Sequence, residues 1–176
     1  MSLHRIGRIG PILIACLAFG CGDQPGPAEP AARAVPLLDQ GRAPTPADPT
    51  PIVDPTIEQI CGFPVEVFLE GKTKSITFPD GVVLYTSPGL HATVTNTATG
   101  RSSRVNITGP VTNEVLPNGD LVVTWNGRSL VWLSGNPDFG FVVLVGHYTL
   151  TLGPDGSIVR PLTGVGQVLN ACALVV

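Results

Sequence analysis

Residues 141–162 read FVVLVGHYTLTLGPDGSIVRPL. A long strand-like run from Phe141 to Leu152 is followed by Pro154-Asp155-Gly156 and a second apolar run from Ile158 to Leu162. Pro, Asp and Gly in that order specify a tight reversal, with Gly supplying a positive φ. The two runs lie too close together for a helical crossover, so they read as antiparallel neighbours. Val142 to Val145 are apolar at every position instead of alternating. That pattern predicts a strand buried on both faces.

The same grammar extends towards the N-terminus. Pro79-Asp80-Gly81 and Pro117-Asn118-Gly119 repeat the turn signal. Val65, Val67 and Leu69 alternate with polar or aromatic neighbours, as do Leu90, Ala92 and Val94. Ile76–Phe78, Val82–Thr86, Ser103–Thr108, Val111–Leu116 and Leu121–Trp125 supply further short runs. Asn126-Gly127 reads as a two-residue hairpin into Arg128–Leu133. The chain holds 21 glycines and 18 prolines, with only 13% charged residues, which favours strands and turns over helices. The expectation is an all-β domain over residues 58–176. It would have eight to ten antiparallel strands in a closed barrel or a two-layer sandwich. Closure would remove the exposed edges that such strands otherwise present.

Cys61 and Cys172 bracket this domain. In an exported chain such a pair reads as a disulfide. It would tie the first strand to the last segment. No C-x-x-C occurs, and neither cysteine has partners at zinc-ligand spacing, so neither redox chemistry nor a metal site is expected.

The N-terminus carries an address. MSLHRIGR (1–8) is short and basic, and IGPILIACLAFG (9–20) is apolar and uncharged. This is the order of a secretory signal, over a stretch too short to span a bilayer. Leu17-Ala18-Phe19-Gly20-Cys21 resembles the lipobox of bacterial lipoproteins. The resemblance implies a lipid on Cys21 and anchoring to the outer face of a cell membrane. Leu13-Ile14-Ala15-Cys16 is a competing site, and plain secretion is a further alternative. Residues 21–57 then form a tether, with nine prolines between Pro25 and Pro55. Such a composition cannot bury enough surface to fold, and its extended reach is ~100 Å at most.

Chemistry is sparse. The net charge of −3 offers no basic footprint for nucleic acid and no polybasic membrane patch. Serine-hydrolase, zinc-protease, P-loop and dinucleotide fingerprints are missing from the sequence. His91 and His147 could be paired on paper with Glu66, Glu70, Glu114 or Asp138, but no spacing requires it. No catalytic residue and no cofactor is therefore assigned. Trp125, Trp132, Phe141, His147 and Tyr148 cluster in the middle of the domain and are the candidates to line a ligand site. The irregular loop 134–140 is a candidate binding lip.

The domain also resembles exported β-domains of actinobacteria. The resemblance rests on Cys61-Gly62-Phe63, the Thr95 to Gly100 turn, the P-[DN]-G turn, Val145-Gly146-His147 and the terminal Cys172. It implies no activity and no site residue. The resulting expectation is a lipid-anchored envelope protein with a non-catalytic domain that binds a small apolar ligand or a protein partner. A structural or surface-display domain and, third, a small secreted enzyme are the alternatives.

Overall fold

A computed structural model describes residues 43–176. The signal segment, Cys16, Cys21 and the first part of the tether lie outside the described residues.

The described chain opens with β1 (Thr45–Pro46) and α1 (Pro55–Cys61). Asp54 caps α1, its side chain accepting from the Thr56 N–H at 2.8 Å, and Pro55 takes the first turn, where no N–H is needed. Gly62 ends the helix in the left-handed conformation (φ 76°), with its N–H on the Glu58 carbonyl. The strands that follow are β2 (Val65–Glu70), β3 (Lys72–Thr77), β4 (Val83–Thr86), β5 (His91–Asn96) and β6 (Ser102–Asn106). β7 (Val111–Val115), β8 (Leu121–Val131), β9 (Val142–Leu152) and β10 (Ile158–Asn170) complete the set.

The strands form two antiparallel sheets. One runs β1-β3-β4-β7-β8-β9-β10 and the other β2-β5-β6. The larger sheet has two ends, at β1 and β10, so the expected closed barrel is not formed. The three Pro-Asx-Gly turns join β3 to β4, β7 to β8 and β9 to β10, and so lie at one end of the sheet. They share one geometry: Asp80, Asn118 and Asp155 each accept from the N–H two residues on.

β9 is apolar on both sides because it separates two cores. Phe141, just before it, and Val143 pack with Val65, Val67, Ala92, Val94 and Val105 of the smaller sheet. Leu144, Tyr148 and Leu150 point the other way, to Val123, Trp125 and Val131. Leu144 and Leu150 are fully buried in one core and Phe141 in the other, as the uninterrupted run predicts.

Three sequence expectations are corrected. First, Asn126-Gly127 is not a hairpin. β8 runs straight through it, in unbroken register with β9 from Leu121 to Val131. Gly127 uses its positive φ (88°) for a bulge against the strand beside it, where Asn126 N–H meets Pro110 O and Gly109 N–H meets Arg128 O, both at 2.9 Å. An Asn-Gly pair signals a φ, and a bulge consumes that φ as well as a hairpin does. Second, the folded part starts before residue 58. β1 pairs with β3, Ile52 bridges to Val67, and Ile57 is fully buried. Pro46 sits on an edge strand and Pro55 at a helix start, two places that need no N–H. Third, the disulfide does form, but Cys61 closes α1 instead of sitting on the first strand. It links the helix to the 3-10 turn Cys172–Leu174 across 111 residues.

Candidate functional site

The smaller sheet covers only part of the larger one, and this division sorts the candidate residues. Trp132 and Phe141 lie under the cover, packed edge to face with centroids 5.9 Å apart. Trp125 and Tyr148 are register partners on the opposite face and are buried in the second core. The four aromatic rings therefore do not converge on one lining. His147 is set apart from all four on exposed surface.

His147 sits beyond the cover on the same face as Val143 and Val145. Its cross-strand partner is Asn126, and the ring Nδ1 lies 2.6 Å from Asn126 Oδ1. An amide oxygen only accepts, so Nδ1 is the donor in this contact. On the neighbouring rung four threonines stand in register across four strands. Thr112 faces Thr124, Thr124 faces Thr149, and Thr149 faces Thr163. The Thr124 and Thr149 hydroxyls are 3.3 Å apart. All of these side chains are half-buried or exposed. The result is a polar platform of hydroxyls, one carboxamide and one imidazole. Sequence reasoning missed it because threonines on four strands become neighbours only when the register is known.

His91 stands elsewhere, on β5, with Nδ1 donating to the Gly89 carbonyl at 2.9 Å. Glu70 is its register partner, but the Glu70 carboxylate pairs with Arg104 at 3.7 Å. The ring partner of each histidine is thus an amide or carbonyl oxygen, not a carboxylate. Glu66 lies on β2 opposite Thr95, Glu114 on β7 opposite Val122, and Asp138 in the 3-10 turn Pro137–Phe139. Among the described residues, no three His, Cys, Asp or Glu side chains are placed to hold a metal ion.

A densely bonded carboxylate is one the sequence reading passed over. Asp54 accepts from Trp132 Nε1 at 2.9 Å, from the Ser134 hydroxyl, and from the Thr56 N–H. Thr56 Oγ1 in turn accepts from the Gly135 N–H at 2.8 Å. The Ser134 hydrogen bond, above all, holds the Asp54 carboxyl well below its usual range, at about 2. These bonds clamp the base of the loop 134–140 to the start of α1. The candidate lip is therefore anchored where it leaves β8. The Asp54-Pro55 pair, a capping residue before a first-turn proline, was the signal that marked this helix start.

The chain matches no known family model, no curated protein and no solved structure.

Proposed function

We propose that this chain is an exported, lipid-anchored envelope protein whose β-domain, a two-layer sandwich, is a non-catalytic recognition module for a protein partner. The observation that carries the reading is the platform around Thr124, Thr149 and His147. It is polar and half-buried or exposed, whereas Trp125, Trp132, Phe141 and Tyr148 are used up in two packed cores. An exposed face of hydroxyls, one carboxamide and one imidazole suits a partner's surface better than it suits an enclosed apolar ligand. The disulfide supports an oxidising compartment, in keeping with the signal-like N-terminus. The lipid would sit on Cys21, and the proline-rich stretch behind it would hold the domain off the membrane.

Two experiments test this. Metabolic labelling with a palmitate analogue should tag the wild type and not Cys21→Ser; label kept by Cys21→Ser and lost from Cys16→Ser moves the anchor. A photo-crosslinking residue at Thr149 should give a discrete protein adduct in intact cells, while one at exposed Val115 gives none. No adduct at Thr149, or equal adducts at both positions, overturns the recognition reading.

A further inference from the structure

Each sheet has two outer strands, and three of the four carry recognisable protection. β1 is two residues long and contains Pro46, which has no N–H to offer. β2 has its edge bridged by Ile52, which exchanges both backbone bonds with Val67 at 2.8 and 2.9 Å. β6 is five residues long and carries Arg104 and Asn106. Such features discourage pairing with another chain.

β10 differs. It spans 13 residues at the end of the larger sheet. Pro161 and two register shifts disturb its first part, between Ile158 and Thr163. From Thr163 to Asn170 it pairs with β9 in unbroken register. Its other edge adds no bulge, proline or charge over that stretch. Residues 161–176 contain no charged side chain at all. Val165 is 81% exposed, Val168 50% and Leu169 42%. A straight, uncharged, valine-bearing edge is a ready template for another strand.

We propose that this edge is the interface of a two-fold dimer, in which residues 164–170 pair antiparallel with the same segment of a second copy. The charge pattern favours the chain itself as occupant. The nearest charge, Arg160, falls outside the paired stretch, so no like charges meet, and a strand bearing charges would find no counter-ion here. The side chains are also self-complementary. In a continuous sheet, facing residues must share a face, so a two-fold axis at Gln167 sets Val165 opposite Leu169 of the second copy. Gly166 then meets Val168 of the second copy, and Gly164 meets Asn170. The seven paired residues span about 24 Å. The two larger sheets would become one, with the threonine platforms of both copies on a single face.

The test uses the full chain as isolated from the membrane. Analytical ultracentrifugation should show a monomer–dimer equilibrium in the micromolar range. Gln167→Lys, which sets two ammonium groups against each other, should weaken it at least tenfold; Gln167→Glu should do the same. Gln167→Cys should yield a covalent dimer under mild oxidation, because directly facing positions bring Cβ atoms within disulfide reach. Val159→Cys, equally on β10 but outside the paired stretch, should not. A wild type that stays monomeric overturns the proposal and leaves the edge to a different strand. So does a dimer indifferent to Gln167→Lys and Gln167→Glu, or a cross-link as strong at Val159 as at Gln167.

Discussion

Trp132 and Asp54 lie 78 residues apart and are joined by a 2.9 Å hydrogen bond from the indole Nε1 to the carboxylate. The bond connects two tasks. Asp54 caps α1, and Trp132 fills the first core edge-on to Phe141. One carboxylate therefore fixes the helix start, the indole and the base of the loop 134–140. Asp54→Ala removes the cap and leaves an indole N–H without its partner, at a cost of about 2–3 kcal/mol. Trp132→Phe keeps most of the packing and loses only the hydrogen bond, so it should cost about 1 kcal/mol. Urea unfolding of the two variants checks the order. Equal losses would mean that the indole's packing, not its bond to Asp54, sets the stability here.

The same carboxylate makes a pH prediction. Asp54 titrates at about 2 in the fold against an ordinary 3.8, chiefly because the Ser134 hydroxyl donates to it. A lowered folded pKa means that the contribution is complete above 3.8 and is lost as the pH falls through 2. The site is only half-buried, so solvent screening reduces the contribution to about 1 kcal/mol. The stability gap between wild type and Asp54→Ala should narrow by that amount between neutral pH and pH 2. A gap that stays constant would show that the charge on Asp54 does not stabilise the fold.

The disulfide closes 111 residues, nearly the whole described domain. In the chain-entropy model such a loop contributes up to about 4.7 kcal/mol. Cys61→Ser/Cys172→Ser should therefore lose much of the stability of a domain this size, and reduction of the wild type should do the same. The first segments to open should be α1 and the C-terminal 3-10 turn, because the bridge holds both. Hydrogen exchange on the reduced chain should show early loss of protection at 55–61 and 172–175, with β8 and β9 last. Uniform exchange across the domain would contradict that order.

Much of this architecture is legible in the sequence, for identifiable reasons. The Pro-Asx-Gly turns encode their own backbone conformation, so the hairpins β3–β4, β7–β8 and β9–β10 follow from local chemistry. The run at Val142 to Val145 gives away a strand between two cores. Local chemistry stops where partners are distant. Asn126-Gly127 specifies a positive φ but cannot say whether hairpin or bulge will use it. Trp125 and Trp132 look alike in sequence and lie seven residues apart, yet they face opposite cores, because an odd spacing on a strand reverses the side. The threonine rung depends on four strands' registers at once. The Asp54 cluster was readable at its helix end, where Asp precedes Pro, but not at Trp132 and Ser134.

A row of glycines crosses the larger sheet. Gly127 faces Gly146, and Gly146 faces Gly166, across β8, β9 and β10. The row separates Trp125 and Tyr148 on one side from Ser129 and Leu144 on the other. At Gly146 (φ 143°) a Cβ would collide with the Val165 carbonyl and the Gly166 Cα of the neighbouring strand. These are backbone atoms in a paired ladder and cannot swing away as a flexible side chain would. Gly146→Ala must therefore push β10 from β9, which disturbs the second core. The expected cost is at least about 3 kcal/mol, in the range of severe core changes. Gly135→Ala is the control: its φ of 78° is equally positive, but a Cβ there meets no atom within 4 Å. It should cost only the local backbone penalty, about 1–2 kcal/mol. Thermal unfolding of both variants separates steric collision from backbone strain. Equal losses would show that φ alone, and not the close approach of β10, makes glycine necessary in the row.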